Sequence, residues 1–251
     1  KEGPASLITA ANVFAHVANL GPCLRGIHAL LGDRGTFISE SHYLLDLIDT
    51  LQYDTIYHEH LRFYSIKPMQ DMMKRFGFSV VDAERIPNHG GSIRVYAVKG
   101  TGKNPSGRLQ ELVKQEEAYG LYETALYTTF AQRVRQSKWK LMHLLSDLKM
   151  KGHRIAGIGS PGRSSTVMNY CGIGPDYLDY TAEQATSLKV GLFTPGTHVP
   201  VVDEKRLFED QPEYALVLAW HLGETIPRKL RSKGLRSKFI MPLPDPVILD
   251  W

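Results

Sequence analysis

The sequence predicts an α/β protein made of two α/β units joined by helices. Three observations carry that expectation. Apolar strand-like runs alternate with helical spacing over the first hundred residues, a polar break and a long helical stretch follow, and the alternation then restarts. With 251 residues, the chain is long enough for one large domain or two small ones with a real core.

In the first part, "ASLITAANVFA" reads as a buried strand and "CLRGIHALLG" as a short helix closing on glycine. "RGTFISES" reads as a second strand and "YLLDLIDTL" as helical spacing. A helix near "KPMQDMMKRFG" and two strands, "FSVVDAERI" and "GSIRVYAV", suggest part of a parallel sheet finished by a hairpin. "KGTGKNPSG" is the break. Beyond it Phe130, Val134, Leu141, Leu144 and Leu148 follow helical spacing to about Met150, with Gly152 as the stop. The last part reads strand "HRIAGIG", helix "SSTVMNYC", strand "YALVLAW", helix "TIPRKLRSKG" and strand "KFIMPLP".

Composition narrows the classes of function. Lys and Arg exceed Asp and Glu by 30 to 26, without a basic block, which argues against nucleic acid and suits one bound anion. Cys23 and Cys171 form neither a CxxC motif nor a disulfide framework, so a reducing cytoplasm is the expected setting. No apolar run reaches membrane-spanning length.

"GIGSPG" sets Gly157, Gly159 and Gly162 in a GxGxxG pattern between strand and helix, with Asp179 roughly where a ribose-binding acid falls. Pro161 lacks the N–H that a dinucleotide loop would offer, which argues against nicotinamide or flavin. Phosphate fits better, through Ser160, Arg163, Ser164 and the helix N-terminus; a purely structural turn is the alternative.

"YDTIYHEHLRFYS", Tyr53 to Ser65, is the densest cluster of reactive side chains. His58 and His60 on one face would suit a metal, with His89 or His16 as a distant third ligand, yet no HExxH or Cys cluster supports it. The histidines could instead cap strands by bonding backbone. A general base needs a histidine titrating near neutrality and groups to orient it, and Tyr57, Glu59, His60 and Tyr64 supply those types. "NHGGS" adds two glycines that allow close backbone approach to a ligand, or a plain turn before a strand.

"YDTIYHEHLRFYS", "HGGSIRVY", "GIGSPGRSSTVMNYCGI", "PGTHVPV" and "LVLAWH" occur in the order and spacing of the S-adenosylmethionine-dependent sugar C-methyltransferases, which methylate a carbon of a dTDP-linked keto-deoxysugar. The chain resembles that family over nearly its whole length, and "LITAANVFAHVANL" looks like the segment after the fourth strand of their methyltransferase domain. The resemblance implies a partial Rossmann-like methyltransferase domain over residues 1–103, a helical linker over 104–152 and a second Rossmann-like domain over 153–251. It implies His60 as the general base that removes a proton beside a ketone, with Tyr57 and Glu59 orienting the sugar and His16 on an active-site position. Asn12 would face S-adenosylmethionine. His89, Ser160, Arg163 and Ser164 would bind the nucleotide-linked sugar, and no metal is expected at the reaction centre.

Some residues depart from the family's pattern. Arg163 stands for a common lysine, Ser164 for a glycine, His221 follows Trp220 where "WN" is usual, and Gln184 beside Glu183 takes the place of an aspartate. The resemblance also implies that a zinc-binding segment and the first half of the methyltransferase domain precede Lys1. S-adenosylmethionine is therefore expected to bind this chain weakly or not at all, and the truncated sheet to offer an edge for self-association. A non-enzymatic nucleotide-sugar binding module is the alternative from another class, and a metal-dependent hydrolase the third.

Overall fold

The computed structural model describes residues 3–250. They form two compact units, each α/β. The first takes the chain up to Asp49 and again His58–Thr128; the second takes Thr50–Tyr57 and the chain from Thr129 onward. The boundaries thus differ from the expected 103 and 152, and one of them falls inside the histidine-bearing motif.

In the first unit, β1 (Ala5–Ala11), α1 (Leu20–Leu30), β2 (Leu31–His42) and α2 (Leu44–Asp49) are followed by α3 (Ile66–Arg75), β3 (Phe78–Ile86), β4 (Ser92–Lys99) and α4 (Gly107–Ala118). The sheet order is β1-β2-β4-β3, with β1 and β2 parallel and β4 antiparallel to both β2 and β3. This is the parallel pair finished by a hairpin that the sequence predicts. Helix α1 does not close on glycine; it runs straight into β2 at Leu31. Phe14, Phe37 and Phe78 stack through the core, with centroids 5.6 Å and 6.2 Å apart, and Met69 and Met73 of α3 are buried. Among the described residues β1 pairs only with β2, and its Leu7 is 54% exposed.

The long helical stretch is two helices. Helix α4 ends at Ala118, and α5 (Thr124–Met150) begins after a turn in which Gly120 takes φ +78°. Residues of α5 through Thr128 belong to the first unit and the rest to the second.

The second unit continues with β5 (Ile155–Ile158), α6 (Gly162–Cys171), β6 (Thr181–Glu183), β7 (Val201–Asp203), α7 (Lys205–Asp210), β8 (Tyr214–Val217), α8 (Thr225–Ser232), β9 (Lys238–Met241) and β10 (Val247–Leu249). Its sheet order is β7-β6-β5-β8-β9-β10, parallel except for the antiparallel β10. This is a doubly wound, Rossmann-like sheet whose order reverses between β5 and β8, where such folds bind ligands. Its core joins Leu141, Leu145 and Leu148 of α5 to Met168 and Cys171 of α6 and to the buried strands. Strands β6, β7 and β10 were not read from the sequence; each has three residues, too few for a period to register.

Candidate functional site

The candidate residues of the first unit converge because loop His58–Ser65 is laced to the segment after β1. Leu61 N donates to Ala15 O at 2.9 Å, Arg62 spreads its fork over Val17 O and Ala18 O at 2.5 and 2.8 Å, and Tyr64 Oη donates to Phe14 O at 3.0 Å. The loop also meets the end of β2, where Tyr43 and Tyr64 form a parallel bridge and Leu44 N donates to Tyr64 O. Its far end is fixed by the carboxylate of Glu116. That buried group accepts from Ile66 N at 2.8 Å and from Tyr122 Oη, so an anion sits on the N-terminus of α3.

This lacing sets His60 edge-on to His16, with ring centroids 5.0 Å apart. Phe63 packs edge-on to His60 at 6.2 Å. Asn12 sits directly after β1 in the left-handed region, φ +54°, with its N–H on Glu40 O. His89 is exposed at the tip of the Asn88–Gly90 turn at φ +56°. Asn88 Nδ2 and the Arg94 fork both bind the Glu40 carboxylate, tying that turn to β2. Glu59 is exposed beside His60. Among the described residues no group of three or more His, Cys, Asp or Glu is arranged to hold a metal ion.

The second unit takes the other half of the motif. Asp54 is 0% exposed and accepts from Arg163 Nε and Nη2, each at 2.7 Å, and from Trp220 Nε1 at 2.7 Å. Gln52 Oε1 takes a further bond from Arg163 Nη2 at 3.3 Å. Tyr53 Oη lies 3.7 Å from Cys171 Sγ, and burial pushes that thiol up. The ring of Tyr57 packs on the start of α6, so that a Cβ on Gly162 would meet it at 3.3 Å. The other glycines are also structural: a Cβ on Gly157 would meet Thr181 at 2.7 Å, and Gly159 turns at φ +78°.

A cleft of about 370 Å³ opens at the carboxyl ends of β5, β6 and β8, within the size range of a small-ligand site. Of the expected phosphate ligands Ser160, Arg163 and Ser164, none lines it. Arg163, 7% exposed, turns its guanidinium to Asp54. Ser164 Oγ donates to Pro161 O at 2.7 Å. Ser160 N donates to Glu183 Oε1 at 2.6 Å, and its carbonyl accepts from Lys189 Nζ at 2.5 Å. In this structure three of the Arg163 donors serve the buried Asp54 carboxylate and the Gln52 side chain. Asp179 precedes β6 and pairs with Lys149; the acid at the end of β6, where a ribose-binding acid falls, is Glu183. Glu183, Lys189, Lys229 and His221 line the cleft and were not expected as ligands. Glu183 was legible only as the neighbour of Gln184, and His221 only as a departure from "WN".

Replacing Asp54 by Ala leaves a buried guanidinium unpaired, and Arg163→Ala leaves a buried carboxylate. Each is expected to destabilise the second unit by about 3–5 kcal/mol. Urea unfolding followed by Trp220 fluorescence checks it; a loss below about 1 kcal/mol would mean that the pair is solvated.

Comparisons with known proteins agree with this architecture. Residues 87–244 match the family described as C-methyltransferase C-terminal domain, and residues 1–83 match the family described as methyltransferase domain. The chain is 30% identical over 252 residues to the C-methyltransferase NovU of Streptomyces niveus, an alignment covering 100% of this chain and 60% of that protein. The chain thus spans less than two thirds of that relative's length. With its model matching residues 87–244, more than half of the chain, the chain belongs to the family described as C-methyltransferase C-terminal domain.

Proposed function

We propose that this chain carries the substrate-activating part of an S-adenosylmethionine-dependent C-methyltransferase that acts on a carbon next to the ketone of a nucleotide-linked deoxysugar. The observation that carries the reading is the half-buried His60, aimed by three backbone anchors and seated against His16. His60 takes the proton from the carbon beside the ketone, and the electron pair left behind forms the enolate that accepts the methyl group. Glu59 contacts the sugar, and His89 sits at its rim.

In the second unit the cleft holds the nucleotide. Lys189 and Lys229 supply the charge for its phosphates, while Ser160, Arg163 and Ser164 shape the loop from within. Glu183 there takes up a hydroxyl donor.

S-adenosylmethionine is the donor that a methyltransferase domain implies. The residues here do not fit a complete site for it: in the first unit Asn12 follows β1 without a glycine-rich turn, and β1 is an open edge among the described residues. No step is therefore assigned to it, and the open edge of β1 is the proposed surface of self-association. The binding-module alternative keeps the cleft and drops the base.

In the intact protein, His60→Gln is expected to slow exchange of the sugar's acidic carbon proton with solvent about 10²–10⁴-fold while dTDP still binds. Proton NMR in D₂O reads this, and unchanged exchange removes His60 from the role. Calorimetry with this chain should show dTDP binding that Lys189→Ala weakens about tenfold or more, alongside no tight binding of S-adenosylmethionine. An unaffected dTDP affinity would move the phosphates away from Lys189. Light scattering should find concentration-dependent dimers that Leu7→Lys dissociates; a monomer at all concentrations would discard the edge.

A further inference from the structure

Among the described residues of the first unit, two that bear a Cβ lie in the left-handed backbone region, Asn12 at φ +54° and His89 at φ +56°. Both are fastened to Glu40, near the end of β2. Asn12 N donates to its carbonyl at 2.8 Å, and Asn88, the residue before His89, donates Nδ2 to its Oε1 at 3.2 Å. Oε2 of the same carboxylate is taken by the Arg94 fork, through Nε at 3.2 Å and Nη2 at 3.0 Å, and Arg94 Nη1 is held in turn by Glu84. With Arg94 fixed at both ends, the carboxylate keeps one direction and presents Oε1 to Asn88.

The turn that Asn88 begins carries one large side chain at its tip. His89, Gly90 and Gly91 take φ +56°, +87° and +121° in succession. The two glycines suit that path, and at Gly91 a Cβ would run into Asp46. Asn88 O closes the turn by accepting from Gly91 N and Ser92 Oγ, each at 3.0 Å. A third glycine at 89 would make the same turn without strain; the sequence places an imidazole there. The ring of His89 stands 5.9 Å from that of His42, the last residue of β2, and the His42 ring is 5.0 Å from that of His60. The tip therefore lies on the side of the unit that carries the proposed base.

We infer that Asn88, anchored on Glu40, is a positioning residue that holds His89 where its imidazole hydrogen-bonds a hydroxyl of the keto-deoxysugar, a role that rests on the reading of His89 at the sugar's rim. An imidazole nitrogen can bond a hydroxyl in any protonation state, because the hydroxyl both donates and accepts. His89 is exposed, and the bond from Asn88 to the buried Glu40 supplies the restraint that packing does not. Fixing the turn before the sugar arrives removes the cost of ordering it from the binding step.

The test uses the intact protein and calorimetry with two probes, dTDP and a dTDP-linked keto-deoxysugar, on the wild type, His89→Ala, Asn88→Ala and the double variant. His89→Ala is expected to weaken binding of the sugar nucleotide about tenfold, and Asn88→Ala about three- to tenfold. The double variant should bind no more weakly than His89→Ala, because Asn88 acts through His89. The affinity for dTDP, which a general loss of folding would lower, should stay the same throughout. Normal sugar-nucleotide affinity in Asn88→Ala, where His89→Ala is weak, overturns the positioning role and leaves His89 at the rim. Effects that multiply in the double variant also overturn it, since Asn88 would then act apart from His89. So does an equal loss for both probes in Asn88→Ala, which makes the bond a matter of folding. Normal affinity in His89→Ala, or a wild type that binds neither probe, overturns the placement of His89 at the sugar and the positioning role with it.

Discussion

A carboxylate cannot be left unpaired in a protein interior, and that constraint fixes both ends of the stretch that bears His60. At one end, in the second unit, Asp54 is enclosed by three N–H donors from Arg163 and Trp220. At the other, in the first unit, Glu116 is equally buried and is satisfied by the first amide of α3 and by Tyr122. Each converts a polar residue that would be costly to bury into a tether with a defined direction, because the donors it needs lie far away in sequence.

Between the tethers the loop is held by hydrogen bonds more than by packing. Leu61 and Ile56 are exposed, so little apolar burial pins the backbone there. Tyr64 and Arg62 reach backbone carbonyls instead, and those bonds specify direction as well as distance. The base role proposed for His60 benefits from this arrangement. Full burial would hold His60 still but would penalise its charged form and cut it off from solvent, whereas directional bonds hold it while it stays half-open.

Most of the long elements were legible because four or more alternating or helically spaced apolar residues leave a period. Beyond the three-residue strands, the break between α4 and α5 escaped because helical spacing continues across the Gly120 turn. The unit boundary inside "YDTIYHEHLRFYS" was not legible for a different reason. It depends on an ion pair across 109 residues, and nothing local to Asp54 names Arg163 as its partner. The site divides the same way. His60, His16 and His89 stand in recognisable motifs, while His42 ends a strand with no pattern around it, and only the fold brings it to His60.

The substitution of arginine for the lysine usual in the family's glycine loop shows what the charge at 163 does in this chain. A lysine ammonium is a point charge on a flexible stem and would meet Asp54 at one oxygen. The planar guanidinium meets both oxygens at once and keeps an N–H for Gln52. It also lies over the Trp220 ring at 5.1 Å, so one side chain joins the motif, α6 and the turn after β8. Three of its five N–H donors are spent inside the protein, and the residue is 7% exposed. Charge toward a bound anion then has to come from cations that keep an exposed end, and Lys189 qualifies: it grips the loop through Ser160 O while half of its side chain remains in solvent. The loop's composition thus preserves a net positive charge while dividing the work, one cation holding the frame and another facing the cleft.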